Sequence, residues 1–417
     1  MDMRKIEIPQ SAIVHHEATL GRCLLEFLKR LADGTPITWI ERKKRNGNGE
    51  SHEVIDDCQM ILKKVRSKNC LTYWNWVHDQ FMEHRILTAS VMRLCVFSKE
   101  NEKRLELLSN EEQSAALEVV SRLFDYEKFR NGEILLFPRA GNAWRIQWFK
   151  KANDAVGISR KRKCKKTIEH EKEFEEWKGW GITEFIRMLD VRYCPYCNAE
   201  TVGAARLPDR AFLPDIDHIL PKEKYPLLAL SLFNLVPACS RCNSRFKKAN
   251  DMLADWDGKG RLPSLHPYVH NIHKHIRFNY RPTSVTNLFL NPNIKNSPLT
   301  VSVAIDDKMQ RAEKYITDYH LREVYRDIYY DEINKMIRME AICSPQFEKT
   351  MKEKYGLTGD DFNCLFRRVS LHPCDINHFR FAKLVGDLHD VMCVDVSSDE
   401  KKHIVKKMKK KYANSHQ

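Results

Sequence analysis

Two Cys-x-x-Cys pairs, Cys194-Pro195-Tyr196-Cys197 and Cys239-Ser240-Arg241-Cys242, restrict this chain more than any other feature. Within each pair a short turn aims both sulfurs at a common point. Two such pairs complete a tetrahedral thiolate cage of the kind zinc occupies. A metal saturated by Cys194, Cys197, Cys239 and Cys242 keeps no open position, so zinc there is expected to be structural. It would hold together a segment too short to build a sufficient core of its own. Any chemistry carried out between the pairs then needs a second ion.

The rest of the composition sets the surroundings of that cage. A chain of 417 residues is long enough for two or three domains. It contains no run of 18 apolar residues, and Met1–Gln10 lacks the apolar stretch of a signal peptide, so a cytoplasmic protein is expected. The nine cysteines outside the pairs lie mostly among apolar neighbours and read as small buried hydrophobes of a reducing compartment. The net charge of +14 is clustered, with one basic run at Arg160–Lys166 and seven lysines between Lys401 and Lys411. Such runs attract polyanions, although a solvated face is the ordinary reading of either one alone.

Hydropathy periodicity makes the chain predominantly helical around this centre, an α+β fold with 1–178 and 256–417 mainly helical and the metal module at 179–255. Leu20, Cys23, Leu24, Phe27, Leu28 and Leu31 recur at helical spacing before Gly34 and Pro36. A helix is expected over Asn110–Phe124, a short one over Ile182–Leu189, a long one over Tyr315–Arg338 and a last one over Asn377–Met392. Arg42–Glu50 reads as a charged loop, and Gly132–Phe149 as a hairpin or a buried helix. A reversal of charge between the basic run and Glu169–Glu176 marks the first boundary. No catalytic signature precedes residue 180.

Between the cysteine pairs, Phe212–Pro221 alternates as a strand does. Asp215 and Asp217 then share one face, with Ile216 and His218 on the other. Leu235–Ala238 is expected to return as a second strand, and Asn243 to open a helix carrying Lys247 and Lys248. An imidazole near neutrality can accept a proton from water. A carboxylate and an amide oxygen suit Mg²⁺, which keeps several waters and takes phosphate oxygens directly. Each residue also has a plainer role: a structural histidine, an exposed strand aspartate, a helix-capping asparagine, a surface lysine. His266 and Tyr268, in Leu265-His-Pro-Tyr268, read as packing or turn residues.

From Tyr193 to Lys248 these residues resemble the HNH (ββα-metal) endonucleases: Asp-His, a following proline, Asn-Leu, Cys-x-x-Cys-Asn and a downstream lysine. The resemblance implies a zinc-braced ββα-metal module in which His218 is the general base and Asp217 a ligand of a catalytic Mg²⁺ or Mn²⁺. It implies that Asn234 braces the hairpin loop and orients the histidine, and that Asn243 completes the ion's site. The Asp-x-Asp-His form with a final Asn looks most like the HNH domains of RNA-guided CRISPR nucleases. Leu265-His-Pro-Tyr268, with the aliphatic-aromatic strand and the tyrosine-spaced helix after it, resembles the C-terminal part of HNH proteins of bacterial anti-phage systems, Septu-type and retron-associated, which work with an ATPase or a reverse transcriptase. The expectation is a metal-dependent endonuclease cutting DNA to 5′-phosphate and 3′-hydroxyl ends, regulated by a protein partner. The alternatives are a zinc-ribbon nucleic-acid-binding adaptor without catalysis, and an HNH nuclease acting on RNA.

Overall fold

The structure is a computed structural model. It describes residues 6–35, 37–39, 41–45, 51–54, 64–136, 139–140, 143–150, 177, 180–206, 211–256, 258, 262–280, 299–303, 310–329, 331–332, 335–336, 339, 343, 345–367 and 376–395. The basic run at 160–166, the acidic run at 169–176 and the lysines beyond 400 lie outside these residues.

Helices dominate, and several begin or end for a local reason. The first runs through Gln10–His16, a π-helical turn at Glu17–Gly21 and Arg22–Ala32, burying Leu20, Leu24, Phe27, Leu28 and Leu31. It stops where Gly34 takes a φ of 64°, a left-handed conformation that costs glycine little. Lys68–His84 follows, with Ser67 as its N-cap, and then Val91–Leu105. Asn110–Leu123 is opened by a capping box in which Ser109 and Glu112 satisfy each other's backbone amides. The short helix Tyr126–Arg130 starts on Asp125, whose side chain accepts from the Lys128 amide.

The sheets are small. Gly132–Phe149 resolves as a hairpin, with Glu133–Leu136 antiparallel to Ala143–Lys150, and Ile37–Trp39 adds to the latter in parallel. The charged stretch expected as a loop is partly a strand. Glu41–Arg45 pairs antiparallel with Ser51–Val54, since a ladder needs backbone groups and tolerates polar side chains on both faces.

Further along, the helix expected over Tyr315–Arg338 is broken. Gln310–Asp318 ends before His320, which has a φ of 48°, and Leu321–Glu323 and a π-helical turn, Val324–Ile328, follow. Tyr315, Leu321, Val324, Tyr325 and Tyr329 are nonetheless buried, whereas Ile328 is exposed. The apolar spacing thus reports burial at Leu321, Val324 and the tyrosines across a break it does not reveal, and misses at Ile328. The last helix is Ala382–Asp395, starting later than its pattern suggested because Phe381 has a φ of 58°.

One continuous set of buried side chains runs from Leu24 and Trp74 through Phe185, Cys194 and Leu235 to Tyr325 and Leu384. Four of the scattered cysteines, Cys23, Cys70, Cys95 and Cys343, are buried, and Cys364 is exposed. Among the described residues no helix is long and apolar enough to cross a membrane.

Candidate functional site

The four paired cysteines converge. Their sulfurs all lie within 4.8 Å of one another, each residue is buried, and the Cys197 and Cys239 sulfurs are 4.0 Å apart. Sulfurs on a tetrahedral zinc at a Zn–S distance of about 2.3 Å stand roughly 3.8 Å apart, so the cluster has the dimensions of such a site. The turns supply outer support, the Cys239 amide donating to the Cys194 sulfur at 3.4 Å and the Cys242 amide to the Cys239 sulfur at 3.5 Å. Burial pushes the Cys194 thiol well up, and hydrogen bonding to Cys194 and its other neighbours does the same for Cys242. Four thiolates can coexist here only against a divalent cation. Among the described residues this is the one group of three or more His, Cys, Asp or Glu side chains close enough to share an ion.

Replacing Cys239 by serine is expected to remove bound zinc and loosen 193–248 locally, lowering solubility. Metal content by plasma emission and protease sensitivity of this segment check it. Full zinc occupancy in the Cys239→Ser protein would exclude the four-thiolate site.

Asp215–His218 is a strand, paired antiparallel with Leu235–Ala238 so that His218 faces Leu235 and Asp217 faces Val236. Two 3₁₀ turns, Pro226–Leu228 and Leu232–Asn234, fill the connection. Asn234 is 1% exposed and ties both sides of that loop. Its Oδ1 accepts from the Leu220 amide at 2.7 Å, and its Nδ2 donates to the Leu220 and Leu228 carbonyls at 3.1 and 2.9 Å. His218 Nε2 donates to the Ala229 carbonyl at 3.0 Å, one residue beyond the carbonyl that Asn234 holds. The amide therefore sets the histidine through the loop rather than by touching it.

A carbonyl only accepts, so Nε2 carries the proton and Nδ1 keeps its lone pair. Among the described residues Nδ1 has no hydrogen-bond partner. Burial, opposed by the Ala229 bond, pushes the His218 pKa down to about 4. The ring is thus neutral at physiological pH and free to act as a base. It borders a cleft of about 380 Å³ that Asp215, Asp217, Asn243, Ser244 and Lys248 also line. Strand alternation alone would have separated Asp217 from His218, yet both reach this cleft.

Asp217 is 1% exposed, and each of its oxygens has one donor and keeps a further lone pair. Tyr196 donates its hydroxyl to Oδ2 at 2.5 Å, and Lys247 Nζ lies 2.8 Å from Oδ1. The same ammonium donates to the His218 carbonyl at 2.9 Å. Lys247, expected at the surface or on a phosphate, is instead buried, because Asp217 and a backbone carbonyl satisfy its charge. Asp215 is half-buried and accepts from Ser244 Oγ at 3.0 Å. Asn243 lies inside the π-helical turn Arg241–Lys247 rather than at its N-cap, and its side chain is half-exposed. Asp217, Asp215 and Asn243 thus offer hard oxygens on one cleft. That donor set suits Mg²⁺ or Mn²⁺ with waters and phosphate oxygens completing the shell.

The far wall of the cleft comes from the N-terminal region, where no signature was expected. Tyr126, Glu127 and Arg130 line it. The Tyr126 ring meets His218 edge-on at 4.5 Å, and Lys222 Nζ sits 5.0 Å from the centre of that ring. Lys222 also bonds Glu127 at 2.9 Å, with Arg130 3.8 Å from the same carboxylate. No local motif marks these residues, and only a knowledge of which helix packs on the strand could have found them. His266 and Tyr268 pack as expected. Both are buried, and the Tyr268 hydroxyl donates to the Leu235 carbonyl at 2.6 Å.

Septu protein PtuB of Bacillus thuringiensis is 33% identical to this chain over 88 residues, which are 21% of the chain and 29% of that protein. The chain therefore matches less than a third of this relative's length. No family model matches the chain. No solved structure matches it. The similarity to a Septu protein agrees, over that part of the chain alone, with the expected resemblance to anti-phage defence proteins.

Proposed function

We propose that this chain is a metal-dependent endonuclease of the HNH type that hydrolyses DNA phosphodiester bonds and acts in anti-phage defence with a protein partner. The observation that carries the reading is His218. Its Nε2 is committed to a backbone carbonyl, its Nδ1 is left as an acceptor, and it stands on one cleft with Asp217 and Asn243.

In this reading His218 Nδ1 takes a proton from the attacking water. Asn234 holds the loop that fixes the ring, and Tyr126 packs edge-on against it. Asp217 and Asn243 would hold a divalent ion, which when bound would supply positive charge against the negative charge that develops on the phosphate and the leaving 3′-oxygen. Arg130, Lys222 and Lys248, on the cleft wall, receive the flanking phosphates. The partial match to PtuB supports the defence context, and an ATPase or a reverse transcriptase is the partner class proposed with it.

Supercoiled plasmid is expected to be nicked in Mg²⁺ or Mn²⁺ and left intact in EDTA. Cutting of RNA but not DNA would change the substrate class. Stoichiometric zinc without cutting of either, in any metal and with the partner present, would leave a nucleic-acid-binding adaptor.

A further inference from the structure

The four-cysteine cluster and the cleft share two side chains. Tyr196 lies between the two cysteines of the first pair, and its hydroxyl donates to Asp217 Oδ2 at 2.5 Å. Lys247 closes the π-helical turn that begins beside Cys242, and its ammonium is 2.8 Å from Asp217 Oδ1. Each cysteine pair thus sends one donor to one oxygen of the same carboxylate. The donors differ in kind, a neutral phenol and a cation, and both are buried.

The Tyr196 phenol has little freedom to move. Its ring stacks on Tyr319 at 4.2 Å and 15°. Its own carbonyl and that of Pro195 accept from the Tyr315 hydroxyl at 3.2 and 3.3 Å, and the Cys197 carbonyl accepts from the Tyr325 hydroxyl at 2.5 Å. With the cysteines on either side held by a metal, the direction of the phenol is set. The second donor is set equally, because drawing Cys239 and Cys242 to the cluster places the turn that carries Lys247. Separate the two pairs, and the two oxygens of Asp217 lose their fixed donors together.

We propose that Tyr196 and Lys247 are positioning residues through which the four-cysteine metal site orients Asp217 for a divalent ion in the cleft. Occupancy of the structural site therefore governs affinity at the catalytic one. This rests on the nuclease reading only in taking Asp217 as a ligand of that ion. Groups that orient a metal ligand from behind commonly change metal affinity 10–100-fold when removed.

The test measures Mn²⁺ binding by electron paramagnetic resonance on zinc-loaded full-length protein, with no nucleic acid present. Tyr196→Phe keeps the ring and the stack and removes one hydrogen bond. It is expected to retain wild-type zinc and circular dichroism while binding Mn²⁺ roughly 10-fold more weakly. Tyr319→Leu, which loosens the stack and leaves the hydroxyl in place, is expected to weaken Mn²⁺ in the same direction. Asp217→Ala should abolish the site. Tyr196→Phe with Mn²⁺ affinity within twofold of wild type, while Asp217→Ala loses it, overturns the coupling and leaves the nuclease reading standing. Wild-type Mn²⁺ binding by Asp217→Ala overturns the ion site, and the coupling with it.

Discussion

His218→Ala is expected to slow phosphodiester cleavage by about 10²–10⁴-fold, the usual contribution of a general base, while DNA affinity and zinc content stay at wild-type values. The expectation follows from the separation of roles around the ring. Zinc would sit on the four cysteines, and the cations of the cleft wall are Arg130, Lys222 and Lys248. None of these depends on the imidazole for its own partner. What the substitution removes is the lone pair on Nδ1, the Nε2 bond to the Ala229 carbonyl and an edge contact with Tyr126. Plasmid nicking read beside fluorescence anisotropy on a labelled duplex separates cutting from holding. Cleavage within twofold of wild type would sink His218 as the base.

Acid should unfold the protein well before it titrates that base. His16 and His266 are fully buried and His273 is nearly so; burial pushes their pKa values down to about 4, 3 and 3. In an unfolded chain each would titrate near 6.5. Between about pH 6.5 and those lowered values, the unfolded state binds protons that the native state refuses. The difference in bound protons is positive, so stability rises with pH in this window and is lost as pH falls through it. Three such groups give a slope of up to about 4 kcal/mol per pH unit. That is a large part of the roughly 5–15 kcal/mol by which domains are stable. Urea titrations at pH 7.5, 6.0 and 5.0 should show the midpoint falling steeply. A midpoint unchanged down to pH 5 would mean that these rings are not held neutral. An acid limb in a cleavage profile would then report unfolding and not His218, unless circular dichroism stays constant across it.

What could be read from the residues alone was local. The cysteine spacing, the strand at Asp215–His218 and its return at Leu235–Ala238 depend on neighbours within one segment, while the bracing amide of Asn234 is suggested only by the HNH resemblance. The reading stopped where a distant segment decides the environment. Lys247 looks like a surface lysine until Asp217 is known to lie beneath it. Tyr126–Arg130 looks like any short helix until it is found against the histidine. The break at His320 hides inside an uninterrupted apolar stripe, since burial repeats at helical spacing on both sides of it. Tyr196 is the sharpest case. It sits in the most legible motif of the chain, yet its partner lies outside that motif.

The loop behind the strand is also sewn to the first hundred residues by hydrogen bonds to backbone carbonyls. His16 Nε2 donates to the Leu230 carbonyl at 2.9 Å, Ser231 Oγ to the Ile86 carbonyl at 3.1 Å, and the Leu232 amide to the Leu87 carbonyl at 2.8 Å. A fragment cut at 179 and 255 would carry the four clustered cysteines and His218 and leave all three of these partners behind. It would also leave behind the tyrosine that walls the cleft and those that steady the first cysteine turn. Such a segment is a poor candidate for grafting onto another scaffold, or for exchange between genes as a ready-made cutting unit. Recombination that kept this chemistry would have to carry the surrounding helices with it.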